Sequence, residues 1–539
     1  MSPGKYVQRK SLSLLRFSEV TNQGLMQSPR NMHPTPSLPR HNCWLVISGY
    51  RTKSTWSVSQ LSASTANRSS PDQVTTNLTI DAGTLPDDVL LEIFEFYLDE
   101  AFSEDGWHTL VHVCRRWRNL VFASPRSLGL RLRCTQKRPI SKMLDIWPNL
   151  PIAISGNGYP KFGVDNITAA LEHNDRVCVI HLWGDPTSIL LKSAAATQKP
   201  FPALLDLDLR SNEEWVPPLS DSFLGGSAPR LRLIRLYSIP FLGIRTLLSS
   251  TSNLIHLELW NVPEVGYISP EMMLISLSSL TQLKILRLGF RSRSGLESRH
   301  PSPQTHVVFL NLTQFRFHGV SEYLEGLVAH IDAPLLHSVR ITLSNQLPFD
   351  ISNLPQFIDR SEKFRSLNTT RADLTFTTNS VELTLSSQIE TETGDGLMLA
   401  LGISSREPSW PRSLSHVFGL SLPPLATAER LDIRMEAYWS GRFRWQHDPQ
   451  NNQWINLLRP LIAVKNLYLF EAAALRVVPA LEEAAEGGVI NVLPALQNVF
   501  LQGLQPTGPV QEAIGRFASA RQPSGCPIAI HRWEMERRQ

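Results

Sequence analysis

Apolar residues recur along the middle of the chain in the form LxxLxL, where L stands for any aliphatic residue or Phe. The clearest copies begin at Leu204, Leu231, Leu254, Leu283, Leu312 and Leu336. Successive copies start between 23 and 29 residues apart. Each copy predicts one short strand, and the residues between copies predict a helix or a turn. Units of this kind cannot bury their apolar faces alone, so we predict that they stack on one another.

The spacing is that of leucine-rich repeats, and it predicts an α/β fold with a leucine-rich-repeat-like solenoid over residues 151–505. Weaker copies begin at Val177, Ala428, Val464 and Leu496. Residues 345–425 are irregular and offer one strand, Val381 to Leu385, and we predict that residues 506–539 form a C-terminal cap. A doubly wound sheet and a βα barrel remain alternatives, but a barrel needs about eight units with catalytic side chains after its strands.

Two further helices are predicted upstream, within residues 81–150. The apolar positions of the first are Leu85, Val89, Ile93, Phe94 and Tyr97, and those of the second are Leu110, Val113, Cys114, Trp117, Leu120 and Val121. Two amphipathic helices of this length cannot bury all of their apolar surface against each other. Surplus surface of this kind is typical of a site that binds another protein.

Composition separates residues 1–80 from the rest of the chain. Ser, Thr, Pro, Asn and Gln dominate this segment, which has nine basic and two acidic residues, and we predict that it is disordered. The whole chain has a formal charge of +4, which gives no electrostatic argument for a nucleic-acid partner. We find no apolar run of the roughly 18 to 20 residues that a membrane span requires. Five scattered cysteines without a CxxC pair indicate a reducing compartment, and we expect the protein in the cytoplasm, the nucleus or both.

Motifs for catalysis are missing from the sequence. It has no GxxxxGK[ST] phosphate loop, no HExxH, no GxSxG elbow and no kinase HRD/DFG pair. Asp206 and Asp208 alternate along one predicted strand, which a solvated strand face explains better than acid–base chemistry. We therefore predict a protein that is not an enzyme, with no catalytic residue, no cofactor and no metal site.

The positions between the apolar residues of each copy are predicted to line one face of the strands. Aromatic and arginine residues, which are enriched at protein-binding hot spots, occupy several of these positions. The candidate substrate-binding residues are Trp183, Tyr237 and Trp260, followed by a basic stripe of Arg287, Arg316 and Arg340. Guanidinium groups bind carboxylate and phosphate at two points, so the stripe suits an acidic or phosphorylated segment. The alternative is that some of these aromatic residues cover edges of the sheet or contact flanking loops.

The two predicted helices carry a specific pair of motifs. The first is Leu85-Pro86 followed by Val89-Leu90 and Glu92-Ile93-Phe94, and the second is the run VCRRWR at Val113 to Arg118, closed by Ala123-Ser124-Pro125. This stretch resembles an F-box domain, and specifically the F-box-like domain of the large families found in mushroom-forming fungi. The loop from Asp99 to Gly106 departs from the pattern, because it is more acidic and longer than in compact F-boxes.

The resemblance implies a substrate-recognition subunit of an SCF-type (cullin-RING) ubiquitin ligase. In that family the F-box docks on a Skp-type adaptor, which links it to a cullin, and the repeats hold a protein substrate. Carried onto this chain, the adaptor-binding or core residues are Leu85, Pro86, Val89, Leu90, Ile93 and Phe94, with Trp117 in the F-box core. The competing hypothesis is a leucine-rich-repeat scaffold that binds proteins without any ligase function.

Overall fold

The computed structural model describes most of the chain from residue 85 onward and a short segment before it. The described residues are 49–52, 55–58, 85–100, 106–124, 128–135, 137, 140–146, 150–157, 164–192, 194–291, 305–344, 351–366, 371–377, 380–387, 397–404, 425–435, 451–486, 492–503, 508–522 and 527–533. A boundary between two compact units falls between Ile93 and Phe94, so each unit is described by itself.

Fifteen α-helices and two short 3-10 helices, Phe223–Gly226 and Glu264–Gly266, lie in the described residues. The α-helices are numbered in chain order. They are α1 (Asp87–Glu100), α2 (Gly106–Val113), α3 (Arg115–Ala123), α4 (Ser141–Ile146), α5 (Val164–Leu171), α6 (Pro186–Lys192), α7 (Ala194–Thr197), α8 (Ile244–Ser249), α9 (Pro270–Leu277), α10 (Ser321–Val328), α11 (Asn353–Asp359), α12 (Glu362–Arg365), α13 (Asn451–Leu458), α14 (Glu471–Glu486) and α15 (Pro509–Arg521).

The strands of the same residues alternate with the helices along most of the chain. They are β1 (Gly49–Thr52), β2 (Thr55–Val58), β3 (Leu132–Cys134), β4 (Ile152–Asn157), β5 (Val177–Gly184), β6 (Asp206–Ser211), β7 (Leu233–Tyr237), β8 (His256–Val262), β9 (Ile285–Phe290), β10 (Val307–Val308), β11 (Gln314–Gly319), β12 (Ile331–Asp332), β13 (Ser338–Ser344), β14 (Arg371–Phe376), β15 (Ser380–Ser386), β16 (Met398–Ser404), β17 (Arg430–Met435), β18 (Asn466–Phe470), β19 (Asn498–Gln502) and β20 (Ala529–Trp533).

One 16-stranded sheet runs from β3 to β20 in the order β20-β19-β18-β17-β14-β15-β16-β13-β11-β9-β8-β7-β6-β5-β4-β3. Each of the six clear LxxLxL copies forms one of its strands, from β6 to β13, and neighbouring copies pair in parallel. The apolar positions of the motif are buried, as Leu207 and Leu209 show in β6. The helices between strands bury their own apolar residues, among them Leu247 and Leu248 of α8. The predicted α/β repeat sheet is confirmed.

The described residues of the irregular region form three strands, two more than the single strand predicted from its sequence. Strand β14 pairs in parallel with β17, and the chain then turns back at Thr377 to form β15. Strand β15 runs antiparallel between β14 and β16, and β16 returns to pair in parallel with β13. The strands Arg371–Phe376 and Met398–Ser404 were missed because they lack the LxxLxL spacing.

The helical motifs upstream of the sheet form three helices instead of two. The predicted second helix breaks at Cys114, which has an extended backbone and caps α3. Its Sγ accepts a hydrogen bond from the Trp117 backbone N–H at 3.4 Å. A side chain that caps a helix satisfies one of the backbone donors left free at the first turn.

A short hairpin lies within the segment that was predicted to be disordered. Strands β1 and β2 pair antiparallel, with Tyr50 opposite Ser57 and Arg51 opposite Trp56. Aromatic and β-branched residues favour strands, which the segment's overall composition conceals. These two strands are the only part of residues 1–80 among the described residues, and the disorder of the segment as a whole stays a prediction.

Candidate protein-binding surfaces

Helix α1 presents apolar side chains to solvent along one side. Val89 and Phe96 of this helix and Pro86 directly before it are exposed, and Ile93 is half-buried. They recur every three or four residues, which places them on one helix face. We call these four residues the α1 stripe. Its exposed apolar surface is unusual for a helix with a solvated face and suits the binding of another protein.

Two of the residues predicted to bind an adaptor are core residues in this structure. Leu90 and Phe94 are fully buried. The ring of Phe94 lies 4.7 Å from the ring of the buried Trp117, which confines it to the interior. Leu90 and Phe94 are therefore reassigned to the core, and the predicted adaptor surface narrows to the half-buried Leu85 and Ile93 and the exposed Pro86 and Val89. Phe96 was not among the predicted residues, although its spacing from Val89 and Ile93 places it on the same helix face.

The strand face has the register that the motif spacing predicted. One register row follows neighbouring strands through His181, Asp208, Arg235, Glu258, Arg287, Arg316 and Arg340, and we call it the charged row. A parallel row, the aromatic row, consists of Trp183, Arg210, Tyr237 and Trp260. Neighbouring positions in each row are about 4.8 Å apart, the distance between paired strands.

Acidic residues in the charged row are surrounded by bases. The buried Asp208 accepts two hydrogen bonds from Arg210, at 2.8 and 2.7 Å, and lies 3.5 Å from Arg235. Glu258 lies 3.2 Å from Arg287 and 3.4 Å from His256. Burial alone would raise the pKa of Glu258, but the His256 hydrogen bond and the charges of Arg287, His256 and Arg235 together lower that pKa below its usual value.

The basic stripe differs from its prediction in one respect, because two of its three arginines have acidic partners. Arg287 pairs with Glu258, and Arg340 Nε lies 3.3 Å from Glu382 on β15. Arg316 between them instead lies over the ring of Trp260, with its guanidinium carbon 4.5 Å from the ring centroid. Glu382 was missed because it reaches Arg340 only through the antiparallel insertion of β15.

The aromatic row is partly open to solvent. Trp183 and Tyr237 are exposed and Trp260 is half-buried. Trp215, in the segment after β6, is 78% exposed and was not singled out from the sequence, because it lies outside the LxxLxL copies. Exposed aromatic side chains on a fixed strand scaffold bring a large contact area at a small entropic cost.

The C-terminal strands carry a second set of charges on this face. Asp432 is 1% exposed and contacts Arg371 at 2.7 Å, Arg430 at 3.1 Å and Arg434 at 3.9 Å. Further along the sheet, the rings of Tyr468 and Phe500 stack with centroids 4.3 Å apart, and His531 stacks on Phe500 at 4.8 Å. These residues join the C-terminal repeats side by side.

Neither a metal site nor a membrane span is found in the part of the chain that the structure describes. No three His, Cys, Asp or Glu residues there are grouped closely enough to bind a metal ion. No helix there has the length and apolar character needed to cross a bilayer.

Comparisons with known proteins agree with the helical motifs. A family model described as F-box-like matches residues 82–126. Among solved structures, the leucine-rich repeat-containing protein LegL7 from Legionella pneumophila is similar at 12% identity, with a TM-score of 0.22, over 72% of this chain and 98% of that chain. No curated protein matches the sequence. Because that TM-score is low, the repeat assignment rests on the strand order and motif register of this chain. The chain therefore carries an F-box-like domain at residues 82–126, followed by a sheet built from repeats of the leucine-rich type.

Proposed function

We propose that this protein is a substrate-recognition subunit of an SCF-type ubiquitin ligase. The observation that carries the proposal is the F-box-like domain at residues 82–126, whose first helix exposes the α1 stripe. F-box domains generally bind Skp-type adaptors, and through the adaptor a cullin. The α1 stripe is the surface that we assign to the adaptor. This function implies action in the cytoplasm or nucleus.

The strand face supports the second half of the proposal, which is the binding of a protein substrate. The aromatic row exposes Trp183 and Tyr237, and the charged row lies beside it on the same strands. Parallel strand pairing holds these side chains at fixed spacing, so a bound segment would meet a preorganised surface. We assign the substrate to this face, with contacts at Trp183, Tyr237, Trp260, Arg287, Arg316 and Arg340.

Such a subunit acts by position and performs no bond chemistry of its own. It raises the effective concentration of the substrate's lysine side chains near the ubiquitin-charged enzyme of the complex. Since the whole contribution is positional, losing either surface removes the function even when the other surface still binds its partner.

Co-expression of the full chain with a fungal Skp-type adaptor, followed by gel filtration, tests the proposal. The expected result is a complex that also retains a cullin when the cullin is added, and that is lost in a Val89→Asp, Ile93→Asp double variant. A folded chain that elutes apart from the adaptor would refute the ligase function. The non-ligase scaffold would then be the better account of the same strand face.

A further inference from the structure

Arg316 differs from the other arginines of the charged row, because no acidic side chain of the described residues forms an ion pair with it. Its Nε is inaccessible to solvent and has no hydrogen-bond partner among the described residues. Arg287 and Arg340 occupy the neighbouring register positions on either side, at about 4.8 Å strand spacing. Burial, together with the charges of Arg340 and Arg287, lowers the pKa of Arg316.

The charges around Arg316 do not balance. Three guanidinium groups, those of Arg287, Arg316 and Arg340, face two carboxylates, those of Glu258 and Glu382. His318, on the same strand as Arg316, adds no charge at neutral pH, because burial and Arg316 lower its pKa below the usual value of 6.5. Among the described residues, one positive charge around Arg316 is therefore left without a counter-charge, in a position where desolvation is costly.

Neighbouring residues hold the Arg316 guanidinium in a defined place. Trp260 supplies the ring beneath it, at 4.5 Å, and Gly289 makes room for that ring. A Cβ at position 289 would lie 2.9 Å from Trp260 Cε3. An arginine stacked on an aromatic face is preorganised, so it loses less entropy when it accepts an anion.

We propose that Arg316 anchors a single carboxylate, from an Asp or Glu side chain of the protein substrate. One carboxylate neutralises the excess charge, and a planar guanidinium can bind it at two points. The exposed Tyr237, which neighbours Trp260 in the aromatic row, contacts an apolar residue of the same segment. This inference rests on the proposed function, in which the strand face binds the substrate.

The same count of charges favours a carboxylate over a phosphate as the ligand of Arg316. A dianionic phosphate would exceed the single charge that Glu258 and Glu382 leave uncompensated among Arg287, Arg316 and Arg340. Because charges at this half-buried position are only partly solvated, the excess would cost more than it would in water. A substrate segment with one carboxylate is therefore the expected ligand.

Degenerate peptide libraries that share random flanks and differ only at a fixed central residue test the proposal. The central residue is Glu, Gln, phosphoserine or Ser, and the immobilised full chain retains each library in turn. We expect the Glu library to be retained about tenfold more than the Gln library, as for a charge-assisted two-point contact. The phosphoserine library should be retained less than the Glu library.

Three variants test whether the preference for Glu depends on Arg316. Arg316→Met should abolish the preference for Glu, with a melting temperature at or above that of the wild type because repulsion with Arg287 and Arg340 is relieved. Arg516→Met removes the same charge from an exposed arginine of α15 that pairs with Glu482 away from the strand face, and should keep the preference. Gly289→Ala should weaken the preference for Glu, because the added Cβ displaces the Trp260 ring that lies beneath Arg316.

Equal retention of the Glu and Gln libraries, an unchanged preference in Arg316→Met, or stronger retention of phosphoserine than of Glu would overturn the proposal. The ligase function is read separately, from co-elution of the same variants with the adaptor. If the adaptor fails to bind while the preference for Glu persists, the ligase function is refuted and the role of Arg316 is supported. If the adaptor binds and the preference for Glu is absent, only the role of Arg316 is refuted.

Discussion

Arg371 and Asp432 form an ion pair across two strands, with 2.7 Å between Arg371 Nη2 and Asp432 Oδ2. Arg371 begins β14, which reaches this place through the irregular insertion, and Asp432 lies in β17 of the repeats that follow. Asp432 is 1% exposed and also contacts Arg430 and Arg434. One buried carboxylate thus fixes the insertion to the C-terminal repeats.

Replacing Asp432 with Asn should destabilise the protein by roughly 2 to 3 kcal/mol, somewhat below the ~3 to 5 kcal/mol seen when a fully buried pair loses one partner. The lower figure reflects the partial exposure of the three arginines, which water screens. Urea unfolding measures the change. The matched control is Glu429→Gln, which breaks an exposed pair with Lys465 and should cost less than about 1 kcal/mol. Equal losses in the two variants would contradict the structural role of Asp432.

Glu258 should make stability depend on pH. Its pKa is lowered in the folded protein, so its contribution is present above its unfolded pKa of about 4.3 and is lost as the pH falls through the lower folded value. Glu258→Gln should therefore unfold at lower urea than the wild type at neutral pH, and the gap should narrow in acid. Urea midpoints measured across a pH series give the test, and a gap that stays constant or widens in acid would refute the assigned pairing.

Thiol reactivity should distinguish the cysteines. Burial raises the pKa of Cys134 to about 12 and also raises the pKa of Cys178, so few thiolates form at either position. Cys114 is exposed at the start of α3. Iodoacetamide at mildly alkaline pH should label Cys114 well before Cys134 and Cys178, as followed by peptide mass spectrometry. Labelling of Cys134 at the rate of Cys114 in folded protein would show that β3 is not packed as described.

Two phenylalanines of α1 offer a matched comparison. Phe94 is 0% exposed and Phe96 is 39% exposed. Phe94→Ala should cost about 3 to 5 kcal/mol, because it opens a cavity beside Trp117. Phe96→Ala should change stability by less than about 0.5 kcal/mol and should weaken adaptor binding. Urea unfolding and adaptor affinity, measured on both variants, distinguish the core residue from the surface residue. A large loss of stability in Phe96→Ala would show that Phe96 is a core residue and does not belong to the α1 stripe.

The repeat sheet was accessible from the sequence because its motif encodes both strand and register. Placing Arg287, Arg316 and Arg340 in one row needed only the position after the central apolar residue of each copy. The ion pair between Arg340 and Glu382 could not be predicted in this way. Strand β15 pairs antiparallel with β16 after the chain reverses its direction, and no repeat spacing predicts that reversal.

The helices upstream of the sheet were also predicted only in part. The motifs around Leu85 and Trp117 predicted the F-box-like domain, which the family model confirms. The pattern of Leu110 to Val121 keeps helical periodicity through Cys114, so the sequence predicted one helix where the chain forms two. The F-box motif also grouped Val89 with Leu90, and only the packed structure shows that the first is exposed and the second buried.

Titration of the full chain with a Skp-type adaptor tests the central claim most directly, with wild type compared with Val89→Asp and Leu475→Asp. Both variants place an aspartate on an exposed aliphatic position of a helix, but only Val89 belongs to the α1 stripe. We predict that the wild type and Leu475→Asp bind the adaptor equally, and that Val89→Asp binds at least tenfold more weakly, which corresponds to about 1.4 kcal/mol. Equal binding by all three proteins, or no binding by the wild type, would contradict the account.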